Sequence, residues 1–339
     1  FLLSILFYSS LLEMNGLFCI VFIMMLFVYI HVYTQRKTSS ELEVYPIEFS
    51  NKETLQEVCD LKQPVMIKGI FSLTGITLES IVETYGKSEV NVISNEEKDN
   101  LFLPLSLQEC MQLLQKQVDG KKEKEQEQEK EGEGKGNKGK EGLEDKEENT
   151  KKNTARNTTY TSWNNQSFLE ETELDKTMKW NDVVLRPPLT CKSTYDMFIG
   201  NEGSNIPLRY TFTYRHFLHV HTGEIRLKLI PPIYSKHLHE NTDDLRMVYT
   251  SPIDVWNVQE QEQEQESYKR EYEKTKCIDL VLKRGDTIFI PSYWWWSIAF
   301  NMISLIESAS YYTPMNLLAN GDKYAMCILQ NANVKHILS

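Results

Sequence analysis

Three histidines, at positions 216, 219 and 221, form the one histidine cluster on a predicted strand of this chain. The strand is expected over His216–Thr222, and alternate side chains of a strand point to opposite faces. His219 and His221 would then share a face, which is a spacing that suits a transition metal. Because no carboxylate follows at a matching spacing, a structural or surface role for the pair is the competing interpretation.

The segment GDTIFIPSYWWWSIAF, residues 285–300, joins a short apolar strand to three consecutive tryptophans. Indole is bulky to bury and costly to expose, so such a run needs a structural reason. Its ring nitrogen is a hydrogen-bond donor with no lone pair for a metal. On a strand, neighbouring tryptophans would point to opposite faces.

Arg209 opens another predicted strand, Arg209–Thr213. If its side chain points inward, a fixed positive charge is buried and needs an anionic partner or several acceptors. A protein carboxylate could supply that partner, and so could a bound carboxylate or phosphate. A structural ion pair or an outward-facing side chain remains the alternative.

Three segments together resemble the Jumonji C/cupin-like (cupin_8-type) group of the cupin superfamily. They are PVMIKGIF near the start, IPLRYTFTYRHFLHVHTGEIRLKLIPP over Ile206–Pro232, and the tryptophan segment. The resemblance runs from about Tyr45 to Asn316, apart from two inserts. It implies a double-stranded β-helix, and many such proteins are Fe(II)- and 2-oxoglutarate-dependent hydroxylases or demethylases. Their iron is held by two imidazoles and one carboxylate, with positions left open for the cosubstrate and oxygen.

The resemblance also shows where this sequence departs from the iron-binding pattern. Arg209 stands at the position of the first histidine and Thr211 at that of the carboxylate. Anchoring the match one residue later gives Tyr210 and Phe212 instead, and neither choice supplies a ligand pair.

The two remaining family positions are also changed. The last imidazole of the family pattern falls at Trp296, and the family's 2-oxoglutarate-binding lysine falls at Ile225. We therefore expect a degenerate site with no iron and no cosubstrate, in which at least one tryptophan fills the space that a cofactor would use. The alternative keeps both cofactors and moves the metal to His219 and His221.

The composition of the chain argues against two further kinds of binding. The net charge of −11 argues against a nucleic-acid partner. The six cysteines are widely scattered without CxxC spacing, which argues against a structural zinc site.

An uncharged apolar run, Leu17–Tyr33, predicts a single transmembrane anchor over residues 14–35. Residues 1–13, which precede the first methionine, are expected to be untranslated or unstructured. Arg36 and Lys37 follow the run, so the positive-inside rule places the globular domain in the cytosol. A cleaved signal peptide is the alternative, and glycosylation sequons at Asn157 and Asn165 would matter if the domain were luminal.

Behind this anchor the chain is predicted to be mainly β, with helices near its start. The cupin-like domain is expected over 45–316, interrupted by disordered polar inserts at 120–159 and 257–270, and followed by a helical tail, 317–339. We expect a non-catalytic binding or structural protein at a membrane, with an unknown protein or small-molecule partner. An oxygenase with relocated ligands is one alternative, and a sugar- or small-anion-binding cupin with Arg209 in its pocket is another.

Overall fold

The computed structural model describes residues 2–70, 77–95, 101–116, 159–258 and 266–338, with side chains described from residue 16 to residue 333. Its helices, in chain order, are α1 Leu2–Arg36, α2 Lys52–Asp60, α3 Leu78–Tyr85, α4 107–116, α5 Gln166–Glu171, α6 Leu174–Met178, α7 Asp182–Leu185, α8 Glu266–Tyr272, α9 Pro314–Ala319 and α10 Gly321–Leu338.

Fifteen strands are found in these ranges. They are β1 Tyr45–Glu48, β2 Val65–Lys68, β3 Glu89–Ser94, β4 Leu103–Ser106, β5 Tyr160–Ser162, β6 Lys192–Gly200, β7 Asn205–Tyr210, β8 Arg215–Thr222, β9 Glu224–Ile230, β10 Asn241–Asp243, β11 Val248–Thr250, β12 Ile278–Lys283, β13 Thr287–Ile290, β14 Trp295–Phe300 and β15 Ser304–Tyr312.

The strands form two sheets, which are antiparallel except where β1 runs parallel to β2. The larger has the order β1-β2-β13-β8-β15-β6-β5-β3-β4, and the smaller the order β10-β11-β7-β14-β9-β12. Their facing sides share one apolar core, with Leu218, Ile288 and Ile306 from the larger sheet against Leu227 and Ile298 from the smaller. The predicted mainly β, double-stranded β-helix architecture is confirmed.

Strand β9 shows how the sequence produces this arrangement. Its odd-numbered residues Ile225, Leu227 and Leu229 are fully buried between the sheets, while Arg226 and Lys228 alternate with them on the other face. Burying three such side chains contributes roughly 1.5–3 kcal/mol each. A slip of one residue would bury the two cations instead, so the pattern fixes the register.

Helices cover the outer face of the larger sheet. Leu55 of α2, Ile81 of α3 and Leu114 of α4 pack with Met197 and Phe217 from the strands beneath. Helix α3 starts with a capping box, in which Thr77 and Ser80 satisfy each other's backbone N–H groups. The larger sheet is therefore buried on both faces, by the smaller sheet on one side and by helices on the other.

Strand β7 begins earlier than predicted and contains Pro207. The expected strand Arg209–Thr213 is found at Asn205–Tyr210. The pairing of β7 with β14 shifts register between Trp296 and Ile298, opposite Pro207. Proline lacks an N–H for the ladder, and a bulge is one place where a strand tolerates it.

Helix α1 is uncharged over most of its length and protrudes from the domain. Within the described residues, Gly16–Arg36 is the one helix that is long and apolar enough to be a membrane span or a signal sequence. Residues 2–13 belong to the same helix, so the expectation that they are unstructured does not hold. Their apolar sequence simply continues the helix towards the N-terminus.

The C-terminal end of α1 is held against the domain by polar contacts. Arg36 donates through Nε to the Ala319 carbonyl at 2.7 Å and pairs with Asp322 at 2.9 Å. The Lys62 ammonium donates to the Lys37 carbonyl at 3.1 Å and also to the Thr34 carbonyl. A cation at this place complements the negative end of the helix dipole.

The first predicted insert lies almost wholly outside the described residues, and half of the second lies outside them. Of 120–159 only residue 159 is described, and of 257–270 residues 259–265 are not. Residues 266–270 are helical, because α8 covers Glu266–Tyr272, so the second insert was predicted too long. The expected tail 317–339 begins within α9 and continues as α10.

Two glycines in tight turns provide a matched test of this packing. Gly223 and Gly285 have φ of +88° and +89°. A Cβ on Gly223 would lie 2.1 Å from Ser304 Oγ and 2.6 Å from the Ile303 carbonyl, whereas one on Gly285 meets nothing within 4 Å.

We expect Gly285→Ala to cost about 1–2 kcal/mol of unfolding free energy, from the left-handed backbone alone. Gly223→Ala should cost roughly 1–3 kcal/mol more, because the 303–304 backbone must move. Urea unfolding of the full chain in detergent, followed by tryptophan fluorescence, measures both. Equal losses would show that the 303–304 turn yields without cost.

Candidate functional site

A cavity of about 310 Å³ opens at one end of the barrel, between the inner faces of the two sheets. Strands of the larger sheet contribute Thr194, Asp196 and Phe198 of β6, His216 of β8, and Ser308 and Ser310 of β15. Strands β7 and β14 of the smaller sheet contribute Arg209 and Trp296, and Trp163 follows β5. The volume is at the lower end of the range for small-molecule pockets.

Arg209 and Trp296 are direct partners in the β7–β14 pairing, and both side chains enter this cavity. The Arg209 guanidinium carbon lies 3.8 Å from the Trp163 ring centre and 5.8 Å from that of Trp296. The side chain of Arg209 is only 9% exposed. A desolvated cation between two indole rings gains cation–π attraction of about 2 kcal/mol.

The three tryptophans have three different environments. Trp294, which precedes β14, packs in the core between the sheets and donates to the Ser39 carbonyl at 3.0 Å. Trp295 faces away from the barrel interior and donates to Ser235 Oγ at 2.8 Å. Trp296 faces inward against Phe198 and His216. The opposite directions of Trp295 and Trp296 follow from strand alternation, as the sequence predicted.

Thr211 and Ile225, which stand at the other two positions of the family pattern, lie in different environments. Thr211 lines the cavity and its hydroxyl lies 3.4 Å from that of Thr213. Ile225 is fully buried in the core between the sheets and pairs with Phe300 across the ladder. Tyr210 and Phe212, which the alternative alignment places at the ligand positions, also line the cavity.

Several residues that line the cavity carry a buried polar atom without a hydrogen-bond partner. These atoms are Trp163 Nε1, Arg209 Nη2, Trp296 Nε1, His216 Nδ1 and Tyr249 Oη. The first three are donors under all conditions, whereas the role of the His216 nitrogen depends on the tautomer. An unsatisfied buried polar group costs about 1–3 kcal/mol, so this grouping at one cavity calls for an acceptor.

Among the described residues that line the cavity, Asp196 carries the carboxylate nearest to the Arg209 guanidinium. It accepts backbone N–H bonds from Asn165 at 2.7 Å, Met197 at 2.8 Å and Asn164 at 3.0 Å. Burial raises the pKa of Asp196 to about 6, against the opposing effect of these bonds and of Arg209. Burial also lowers the pKa of Arg209 to about 10, which leaves it charged at neutral pH.

His219 and His221 share a face, but that face is turned away from the cavity. His221 Nε2 lies 2.7 Å from Glu307 Oε2, and Asn181 donates to the same carboxylate at 3.1 Å. His219 Nδ1 lies 2.7 Å from Thr287 Oγ1. In the described part of the chain, no three His, Cys, Asp or Glu side chains are arranged to hold a metal ion.

This fold agrees with a comparison against known families. The family model of the cupin-like domain matches residues 51–320. The chain belongs to the cupin-like domain family. A comparison with curated proteins gave no match.

The cavity residues of this cupin-like domain do not fit the iron and 2-oxoglutarate that the resemblance implies. Where two imidazoles would bind a cation, the chain has a buried cation, Arg209, and an indole, Trp296, whose nitrogen is a donor. Thr211 offers a neutral hydroxyl in place of a carboxylate. We therefore derive no chemical step through a metal at this position.

Sequence reasoning missed three residues of the cupin-like cavity. Trp163 is distant from Arg209 along the chain, and Asp196 lies on β6, a strand that was not predicted. His216 was noticed only as part of the histidine cluster, although its side chain enters the barrel while His219 and His221 do not. The alternation of His216 with Phe217, His219 and His221 was the signal that separated them.

The buried histidines make the stability of the cupin-like domain depend on pH. Burial lowers the pKa of His216 to about 3 and that of His219 to about 4. An unfolded histidine titrates near pH 6.5. Below that pH the unfolded chain binds protons that the folded chain does not. The unfolding free energy therefore decreases as the pH is lowered, down to about pH 4 for His219 and about pH 3 for His216.

We expect His216→Gln to reduce the slope of unfolding free energy against pH by about 1.4 kcal/mol per pH unit between pH 6 and pH 4. Glutamine retains a donor or acceptor for Ser308, which lies 3.0 Å from His216 Nε2. Urea unfolding at half-unit pH steps measures the slope. His219→Gln should act with the same sign over a narrower window, and unchanged slopes would contradict the assignment.

Proposed function

We propose that this protein is a non-catalytic, membrane-anchored member of the cupin-like family whose barrel cavity binds a ligand without iron or 2-oxoglutarate. The observation that carries the proposal is the pairing of Arg209 with Trp296 inside the cavity. These two residues stand where the resemblance places two iron ligands.

Electrostatics supports this proposal. A guanidinium stays protonated in proteins and repels Fe(II), most strongly where burial removes water. An imidazole restored at position 296 would lack its partners at the family positions, because Arg209 and Thr211 stand there in place of the other imidazole and the carboxylate. A facial iron site needs all three ligands together.

The relocated-site alternative has one observation in its favour. Glu307 lies beside His221, so two imidazoles and a carboxylate occur on one face of the larger sheet. All three side chains are buried, and Asn181 covers the carboxylate from the helical layer. A hydrogen-bonded network that fastens this layer to the sheet accounts for the same contacts.

Contacts of the domain with the end of α1 support an anchor that is retained. The Ser39 carbonyl accepts a hydrogen bond from the Trp294 indole N–H, and the Ser39 backbone N–H donates to the Lys62 carbonyl at 3.2 Å. Together with Arg36, these bonds would be lost or loosened if the helix were removed as a signal peptide.

Asn165 bears on the orientation of the domain. Its amide nitrogen donates to Ser162 Oγ at 2.9 Å and to the Met197 carbonyl at 2.8 Å, and the side chain is buried. A glycan on this nitrogen is incompatible with those bonds, which supports a cytosolic domain. The other sequon, Asn157, lies outside the described residues.

The metal-free proposal predicts that Fe(II) and Mn(II) do not bind the full chain in detergent at micromolar concentration. Calorimetric titration under anaerobic conditions measures binding, and 2-oxoglutarate consumption is measured in parallel. Trp296→His should gain no activity and should lose about 3 kcal/mol of unfolding free energy, because a cavity replaces most of a buried indole.

The double variant His219→Gln/His221→Gln is the matched control for that titration. Micromolar metal binding by the wild type that this variant loses would favour the relocated-site oxygenase over our proposal. Binding that Trp296→His gains would show instead that the family position still supports a metal.

The anchor proposal predicts that the full chain stays with membranes during alkaline carbonate extraction, because an apolar helix of 21 residues, charged only at its last residue Arg36, partitions into lipid. In microsomes, we expect the domain to be digested by external protease and no glycan to be added. Release by carbonate would contradict the anchor. A protected, glycosylated domain would reverse the orientation.

A further inference from the structure

We infer that the ligand of the barrel cavity is a small organic carboxylate, bound by the Arg209 guanidinium between Trp163 and Trp296. This inference rests on the proposed metal-free function, and it names the ligand class of the same site. Three features of the described residues carry it: the surplus of donors, the balance of charge and the aromatic walls.

The donors point to an acceptor-rich ligand. Arg209 Nη2, Trp163 Nε1 and Trp296 Nε1 are buried without a partner, and none of these groups can accept a hydrogen bond. Arg209 Nε has only a long contact of 3.4 Å to the Pro207 carbonyl. A carboxylate matches the planar fork of a guanidinium with two parallel hydrogen bonds.

The charges of the lining also favour an anion. Among the described residues, the lining contains the cations Lys192, Arg209 and Arg246 and the carboxylate of Asp196. Asp196 accepts three backbone N–H bonds, and its oxygens lie beyond ion-pair distance of Arg209. One anionic group in the cavity would therefore meet a net positive surrounding.

The walls favour an organic body over a bare inorganic anion. Trp163, Phe198, Trp296 and Tyr249 line the cavity, and the rings of Trp163 and Trp296 lie beside the Arg209 guanidinium. Inorganic phosphate would bury its charge against these rings without covering them. A carboxylate attached to an apolar or aromatic body would satisfy the donors and cover the rings together.

Benzoate is a probe with this chemistry, and benzamide is its uncharged counterpart of nearly the same shape. Each is titrated into the full chain in detergent with EDTA present, and tryptophan fluorescence is followed. We expect saturable benzoate binding with a Kd of about 1 mM or tighter, which is reasonable for a ligand of this size. Benzamide and inorganic phosphate should each bind at least about tenfold more weakly, since each lacks one of the two features.

Arg209→Gln removes the charge from the cavity and should weaken benzoate binding at least about tenfold. Arg226→Gln is the matched control, because Arg226 is an exposed arginine of β9 paired with Asp279 and lies outside the cavity lining. It should bind benzoate like the wild type. If Arg209→Gln fails to fold, Trp163→Phe removes one donor N–H but retains an aromatic ring, and should weaken binding about threefold or more.

Four outcomes would overturn the inference. The first two are benzamide or inorganic phosphate binding as tightly as benzoate. The third is benzoate binding by Arg209→Gln and Trp163→Phe that is as tight as in the wild type. Absence of benzoate binding also contradicts the inference, while leaving the metal-free proposal intact. Benzoate binding that requires Mn(II) in place of EDTA would instead contradict the metal-free proposal itself.

Discussion

The pairing of β7 with β14 is the constraint on which the cavity depends. It makes Arg209 the direct neighbour of Trp296, and both strands lie in the middle of the smaller sheet, where neighbours on each side hold them. The register shift opposite Pro207 sets which residues of β7 face inward beyond that pair. Without the shift, the residues of β7 on one side of Pro207 would turn the opposite face to the barrel.

A buried arginine needs compensation, and the surroundings of Arg209 provide it from several elements. Trp163, which follows β5, covers the guanidinium, and Trp296 lies on the paired strand. Asp196 on β6 contributes a negative charge at longer range and is itself held by backbone N–H groups. The cavity thus depends on contacts between both sheets, and it cannot be assigned to any one segment of the chain.

The sequence predicted the strands whose two faces differ clearly. The strands Glu224–Ile230, Thr287–Ile290 and Ser304–Tyr312 can be recognised in this way, because their apolar positions alternate or run together between turn residues. Strand β6, Lys192–Gly200, was missed because its inner face carries Thr194 and Asp196, which line the cavity and conceal the alternation. A strand that builds a polar site departs from the pattern by which strands are recognised.

The cavity was only partly predictable for a related reason. The resemblance placed Arg209 and Trp296 at two iron positions, but the Arg209 guanidinium lies nearer to the ring of Trp163, which only the folded chain brings close. The direction of His219 and His221 likewise depended on which face of β8 turns to the helices. Local alternation gives the two faces, whereas the packing of helices decides which of them is inside.

If Arg209 and Trp296 stand in place of two iron ligands, as we propose, the preference of the cavity for charge is reversed. Two neutral imidazoles and a carboxylate offer lone pairs and a negative charge, so their complement is a cation. A guanidinium and an indole offer N–H groups and a positive charge, and their complement is an anion. This reversal involves few side chains, because the apolar core between the sheets consists mostly of aliphatic residues, although it also includes Trp163 and Trp296. The same scaffold can therefore hold ligands of opposite charge, according to a few side chains at its open end.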